Sequence, residues 1–105
     1  MPGPPPQYFD LLTAQTVATD GTWVDVRDYD VMSVEVASIA GGDAIQVIGS
    51  LKKSQPTATE GSQMGSDLTV ADIVQVNGPL SWLRAKKVGA ASAVDVRVMG
   101  YHRGT

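Results

Sequence analysis

The stretch of sequence that decides the fold reads Leu83-Arg84-Ala85-Lys86-Lys87-Val88, then Gly89-Ala90-Ala91-Ser92, then Ala93-Val94-Asp95-Val96-Arg97-Val98. In its last segment, valines alternate with Asp95 and Arg97. A period of two is typical of a β-strand with one face in a core and the other in water. The small residues around Gly89 predict a turn. The two flanking segments are therefore predicted to form a β-hairpin that closes an antiparallel sheet.

The rest of the chain shows further short strands separated by turn signals. Two adjacent glycines in Ala40-Gly41-Gly42-Asp43 supply the positive φ values of a tight hairpin turn. Residues 68–76 fit either a short helix or a strand, and the β-branched side chains at 73–76 favour a strand. The polar residues 52–67 show no period and are predicted to form the main loop. Further strands are predicted at residues 11–18, 22–27, 31–39, 44–51 and 80–87. Roughly seven or eight strands in about a hundred residues predict an all-β protein, an antiparallel β-sandwich that is jelly-roll-like.

The first ten residues form a different kind of segment. Four of the six prolines fall within the first seven residues, and proline has no N–H to donate to a strand ladder. We predict an extended, polyproline-like N-terminal arm over residues 1–10 and a single β-sandwich domain over residues 11–105. Such a segment loses little entropy on docking, and aromatic side chains bury much surface, although a plain disordered tail is the alternative. The predicted partner-binding residues of the arm are Pro4, Pro5, Pro6, Tyr8 and Phe9.

The composition of the 105 residues argues against several classes of function. A net charge of -3 argues against binding to nucleic acid, because phosphate backbones are bound by an excess of Lys and Arg. No apolar run approaches the ~20 residues that cross a bilayer, so no membrane partner is expected. With no cysteine, and with His102 as the single histidine, the chain lacks the residues of common metal sites and of Ser-His-Asp catalysis. We therefore predict no enzymatic activity, no cofactor and no metal.

Low charge and short length both predict self-association. Only 18% of the residues are charged, and a chain of 105 residues buries a thin core. We therefore expect a homo-oligomer in which another copy covers part of the apolar strand surface.

One short motif occurs twice. Val24-Asp25-Val26-Arg27 recurs as Val94-Asp95-Val96-Arg97 near the other end of the chain. If these strands pair antiparallel, Asp25 faces Arg97 and Arg27 faces Asp95, although coincidence explains the repeat equally well.

Three groups of polar or aromatic residues are candidate sites, each with a simpler alternative. Trp23, Tyr29, Trp82 and Tyr101 could stack a sugar, but tryptophans at strand starts more often cap the core. Asp25, Asp28 and Asp30 could bind calcium, but they lack the glycine and distal glutamate of a known loop, so a solvated acidic turn is favoured. The basic pairs Lys52-Lys53 and Lys86-Lys87 are predicted to be solvated charges on edge strands.

Several of these segments, taken in chain order, resemble the small β-sandwich proteins of tailed-bacteriophage virions. The resemblance covers most of residues 22–101 and rests on Trp23-Val24-Asp25-Val26, Met32-Ser33-Val34-Glu35-Val36, Ile45-Gln46-Val47-Ile48-Gly49-Ser50-Leu51, Ser81-Trp82-Leu83-Arg84-Ala85 and the closing strand from Val94 to Gly100.

The resemblance implies a structural role in the virion. Proteins of this kind serve as capsid decoration (cement) proteins, head-fibre bases or tail-associated proteins, and are often trimeric. The chain is therefore expected in the virion after assembly in the host cytoplasm. It is expected to form a homotrimer that contacts the major capsid protein or another virion protein. The alternative is a β-sandwich module that binds a glycan or a host surface.

Overall fold

The structure of the protein, a computed structural model, describes residues 7–77 and 80–101. These residues form eight β-strands and no helix. The strands are β1 (Gln7–Gln15), β2 (Val24–Asp25), β3 (Val31–Ala37), β4 (Ala44–Ser50), β5 (Ser62–Gln63), β6 (Asp72–Asn77), β7 (Trp82–Val88) and β8 (Val94–Tyr101). The strand interpretation of residues 73–76 is confirmed, because β6 contains them.

The strands form two antiparallel sheets of four. The first sheet has the order β1-β8-β3-β6, and the second sheet has the order β2-β7-β4-β5. The pairing is nested: β1 pairs with β8, β2 with β7, β3 with β6 and β4 with β5. The chain is thus a long hairpin that is rolled up, and the rolling adds the β3–β8 and β4–β7 contacts. This is the jelly-roll form of the β-sandwich, so the predicted fold class is confirmed.

Both predicted hairpins are wrong in the same way. β3 and β4 lie in different sheets, and so do β7 and β8, so each connection is an arch that crosses between the sheets. The prediction failed because alternation shows which face of a strand is buried, whereas the choice of neighbour depends on contacts far away in sequence. Of the two glycines in the first arch, Gly42 has a positive φ, at 94°, and Gly41 does not; Ser38, at the start of the arch, also has a positive φ, at 59°.

The core lies between the inner faces of the two sheets. Val94, Val96 and Val98 of β8 are buried there, whereas Arg97 lies on the outer face, as the alternation predicts. Each such valine contributes roughly 1.5 kcal/mol or more when fully buried. The core cluster also contains Leu11, Leu12, Val26, Met32, Val34, Val36, Ile45, Val47, Val76, Leu83 and Ala85.

The pairing predicted from the repeated motif is wrong. β2, which contains Asp25, pairs with β7 in the second sheet, whereas β8 lies in the first sheet. Arg97 instead places Nε 3.3 Å from Glu35 Oε1 on the neighbouring β3. Asp25 pairs with Arg27 two residues away, at 3.0 Å. Alternating valine and charge is common to half-exposed strands, so the repeat carries no pairing information.

The first strand begins earlier than predicted. β1 starts at Gln7 rather than at residue 11, and its first residues pair with β8, Tyr8 opposite Met99 and Phe9 opposite Val98. Residues 7–10, which were expected in the arm, therefore belong to the first sheet. Pro4, Pro5 and Pro6 lie outside the described residues.

Candidate contact surfaces and a buried polar clamp

Tyr8 is the predicted partner-binding residue that the structure places on the surface. Its side chain is 72% exposed on the outer face of the first sheet. With Met99 and Ile73 it lines a shallow pocket of about 210 Å³. The ion pair between Arg97 and Glu35 lies in the same pocket. This surface combines aromatic, aliphatic and charged groups, a composition suited to protein contact.

Phe9 has a different environment from Tyr8. Its ring packs against the core and meets the ring of Tyr29 edge to face, with centroids 5.8 Å apart and an interplanar angle of 66°. Tyr29 in turn covers Gly100, where an added Cβ would lie 2.8 Å from Tyr29 Cγ. Phe9 is therefore a packing residue of the sandwich, and of the two neighbouring aromatics Tyr8 is the exposed one.

Two tryptophans and two arginines interleave on the outer face of the second sheet. The guanidinium of Arg84 lies 4.5 Å from the ring centroid of Trp23, and that of Arg27 lies 5.4 Å from the ring centroid of Trp82. These distances are within the range of cation–π attraction. We call these four residues the Trp-Arg ladder.

The loop of residues 51–61 covers part of the Trp-Arg ladder. Trp23 Nε1 donates to the carbonyl oxygen of Thr57 at 3.2 Å, and Arg84 Nη2 donates to that of Ala58 at 2.7 Å. Both Trp23 and Arg84 are buried as a result, although they lie outside the sandwich core. Two buried donors of the ladder, Trp82 Nε1 and Arg84 Nε, have no hydrogen-bond acceptor among the described residues.

Polar contacts hold this loop in place. Lys52 Nζ lies 2.8 Å from Glu60 Oε1, which also accepts the backbone N–H of Thr57 at 2.8 Å. These hydrogen bonds, that from Lys52 foremost, lower the pKa of Glu60 to about 2. Arg27 Nη2 donates to the carbonyl oxygen of Lys53 at 3.0 Å, so the ladder and the loop hold each other.

The aromatic platform considered from sequence does not form. Trp23 and Trp82 lie on the second sheet, whereas Tyr29 and Tyr101 lie at the first sheet. The core-capping alternative for Trp23 is also corrected, because a surface loop covers its ring on the outer face of the sheet. Sequence reasoning missed this because the polar loop 52–67 shows no apolar pattern that would predict a cover.

A fully buried ion pair joins the two arches. Asp43 ends the first arch, and Lys87 Nζ lies 3.2 Å from its Oδ2 with neither side chain exposed. Asp43 Oδ1 accepts the backbone N–H of Ala91 at 2.8 Å, and Oδ2 accepts both the N–H and the Oγ–H of Ser92, at 2.9 and 2.6 Å. Lys87 also donates to the carbonyl oxygen of Gly89 at 2.6 Å. We call this group the arch clamp.

The carboxylate of the arch clamp is held in its ionised form. The hydroxyl of Ser92 and the N–H of Ala91 outweigh the cost of burial and lower the pKa of Asp43 to about 2. Ser92 Oγ also accepts the backbone N–H of Ala40 at 3.1 Å, which ties a second point of the first arch to the second. The clamp therefore holds together the two connections between the sheets, which no ladder of backbone hydrogen bonds joins.

The interpretation of Lys86 and Lys87 as a solvated pair is wrong for Lys87. Lys86 faces outward and lies 3.6 Å from Asp20, with both side chains about half exposed. Lys87 is in phase with the buried Leu83 and Ala85 of the same strand, so its side chain enters the sandwich. That phase is visible in the sequence and could have identified the buried lysine.

The described residues bring together no group of three metal-ligating side chains. Asp25, one of the three acids considered for calcium, instead accepts Arg27 Nε and the Arg27 backbone N–H. Within the same described part of the chain, no helix is long and apolar enough to cross a membrane.

Comparison with solved structures gives one match to this fold, the SPBc2 prophage-derived protein YomS. The two structures have a TM-score of 0.73, and the match covers 91% of this chain and 92% of YomS at 14% sequence identity. Comparisons of the sequence with protein families and with curated proteins find no match. The chain is therefore similar in fold, over nearly its whole length, to a prophage-derived protein.

Proposed function

We propose that this chain is a structural virion protein of a tailed bacteriophage, a capsid decoration protein that acts by protein contact. The observation that carries the proposal is the shared fold: one sandwich accounts for nearly all of this chain and nearly all of the prophage-derived protein YomS. A fold of this kind supports many functions, so the proposed role also depends on the surface that could contact a partner.

The outer face of the first sheet supports an attachment role. Tyr8 projects from the edge strand β1, which is also the strand that continues from the proline-rich residues. Tyrosine is enriched at the energetic centres of protein interfaces, and a proline-rich segment beside it extends its reach at low entropic cost. We propose that Tyr8, together with Pro4, Pro5 and Pro6, contacts the major capsid protein or a neighbouring copy.

Purified particles test this proposal directly. Virions of the phage or induced prophage that encodes the chain would be banded in a density gradient, washed and probed with an antibody to the recombinant protein. We expect the chain at a fixed ratio to the major capsid protein. Recovery of the chain only in the soluble lysate, with none on washed particles, would refute a structural role.

The Trp-Arg ladder favours a second candidate function, binding of a glycan by a tail or fibre component. Trp82 is half-buried beside Arg27, and aromatic rings next to cationic groups suit a sugar that carries an acidic group. Quenching of tryptophan fluorescence by an acidic oligosaccharide, lost in Trp82→Leu, would support this candidate. Unchanged fluorescence across a panel of acidic and neutral oligosaccharides would remove it.

A further inference from the structure

The four edge strands of the two sheets differ in how well they are protected against pairing. β2 and β5 are two residues long, too short to template a partner strand. β1 is longer, but its register with β8 shifts twice, between Asp10 and Leu12 and between Leu12 and Gln15, and prolines precede it in the sequence. Bulges, prolines and short length are the usual ways in which proteins protect an edge.

β6 is neither short nor bulged. Its six residues pair with β3 in unbroken register, from Asp72 opposite Val36 to Asn77 opposite Val31. The strand reads Asp-Ile-Val-Gln-Val-Asn, without lysine or proline. Ile73 is 60% exposed, and Val70 just before the strand is exposed as well. A regular, unpaired edge of this kind, with exposed apolar side chains beside it, is a site where another strand can add.

The backbone of β6 presents hydrogen-bonding groups to the free edge. The N–H of Ile73 donates to Asp72 Oδ1 at 2.8 Å, which shows that it points away from β3. In an antiparallel ladder this direction recurs at every second residue, so the N–H and C=O of Gln75 face the same free edge. In the single chain, the Asp72 side chain therefore accepts the hydrogen bond from one N–H of the free edge. When another strand pairs with β6, a carbonyl oxygen of that strand would replace it.

An apolar cleft opens beside this edge. It measures about 260 Å³, and its lining includes Met64 and Leu68 from the second sheet's side and Val74 and Val76 from β6. A strand added to β6 would extend the first sheet over this opening. Its inward-facing side chains would then meet Met64 and Leu68, so pairing would bury apolar surface as well as satisfy backbone groups.

We propose that β6 pairs antiparallel with β6 of a second copy, which forms a two-fold dimer with one continuous eight-stranded sheet. Asp72 is the only charge of the strand, and antiparallel pairing keeps the two Asp72 side chains at opposite ends of the contact. Among the described residues, the other three edge strands are short or bulged. A copy that associates through β6 therefore pairs with β6 of its partner, and assembly through this edge stops at two copies. The proposal gives two copies, where the resemblance implies three.

The first test is the mass of the full chain in solution, measured by light scattering over a dilution series up to about 100 μM. We expect about 22 kDa, twice the 11.0 kDa of one chain. The Ile73→Lys, Gln75→Lys variant places two charges on the outer face at the edge and should raise the dissociation concentration at least tenfold. Leu51→Lys is the matched control, because Leu51 is 74% exposed and lies outside both β6 and the lining of the cleft beside it, and this variant should remain dimeric.

The second test uses the absence of cysteine from the chain. Gln75→Cys gives a single thiol, and the two copies of that residue would lie within about 8 Å of each other for pairing centred on Val74 or on Gln75. A short bis-maleimide should therefore cross-link Gln75→Cys, but not Leu51→Cys, to a dimer.

A mass of 11 kDa across the dilution series would overturn the proposal, and so would a 33 kDa species that the double lysine variant leaves intact. Equal cross-linking of Gln75→Cys and Leu51→Cys would count against it too. None of these results bears on the virion role, which is judged by recovery of the chain on washed particles.

Discussion

Replacing Lys87 by methionine tests the arch clamp most directly. Methionine keeps a stem of similar length in the core but removes the ammonium group from both of its acceptors. The Asp43 carboxylate would then lack its cation, and the Gly89 carbonyl would lack the donor now 2.6 Å away. The substitution is therefore expected to destabilise the protein through unsatisfied buried polar groups rather than through a cavity.

The size of the effect follows from the contacts that remain. Removing one partner of a buried ion pair typically costs about 3–5 kcal/mol. The lower end applies at Lys87, because the carboxylate keeps its hydrogen bonds from Ala91 and Ser92. About 3 kcal/mol corresponds to a fall in Tm of roughly 12–24 °C for a domain of this size.

Thermal unfolding followed by circular dichroism measures this, with Lys86→Met as the matched control. Lys86 is the preceding residue of the same strand, but its ion pair with Asp20 is exposed and 3.6 Å long. Such pairs contribute about 0–1 kcal/mol, so the control should stay within a few degrees of the unmodified protein. Equal Tm values for the two variants would refute the clamp as a source of stability.

Three further predictions concern acid stability, a turn and the attachment surface. The pKa of Asp43 is lowered from 3.8 to about 2, and that of Glu60 from 4.5 to about 2. The two carboxylates should therefore stabilise the folded protein above about pH 4.5, and this stabilisation should be lost as the pH falls toward 2. A Tm that stays level down to about pH 2 would contradict both assignments. Gly21→Ala should strongly lower the free energy of unfolding measured by urea titration, because Gly21 has φ 71° and an added Cβ would clash with a backbone carbonyl of β7. Gly41→Ala, where an added Cβ meets open space, should be close to neutral. Tyr8→Ser should leave the Tm almost unchanged and reduce rebinding to particles that lack the protein, whereas wild-type rebinding would show that Tyr8 is not an anchor.

The sequence allowed the fold class to be predicted, but not the sheet partners of the strands. Alternation in β8 correctly placed Val94, Val96 and Val98 inside. The same pattern cannot distinguish a hairpin from an arch, because both leave one face of each strand buried. Sheet membership depends instead on long-range contacts such as those from Asp43 to residues 91 and 92, about fifty positions away.

The candidate sites were harder to predict for the same reason. Lys87 lies on the same face of its strand as Leu83, so the strand pattern alone indicates that it is buried. Lysine is rarely fully buried without a partner, however, and the partner Asp43 is too distant in sequence for the pattern to identify it. The cover over Trp23 comes from backbone carbonyls of a polar loop, which no side-chain pattern reveals. Tyr8 and Phe9 were grouped as anchors, but neighbouring residues of a strand face opposite sides of a sheet, so only one of them can lie on the outer face.

The arch clamp and the proposed attachment residue Tyr8 lie beside opposite ends of β8. The arch clamp lies beside the start of β8 near Val94, whereas Tyr8 pairs with Met99 five residues further along. Five residues of strand span about 17 Å, beyond the distance at which substitutions usually interact. A Lys87→Met, Tyr8→Ser double variant should therefore show the Tm of Lys87→Met and, below that Tm, the particle binding of Tyr8→Ser. Weaker binding by Lys87→Met alone, at a temperature where it is folded, would mean that the arches influence the proposed contact surface around Tyr8 and that the two ends of the sandwich are coupled.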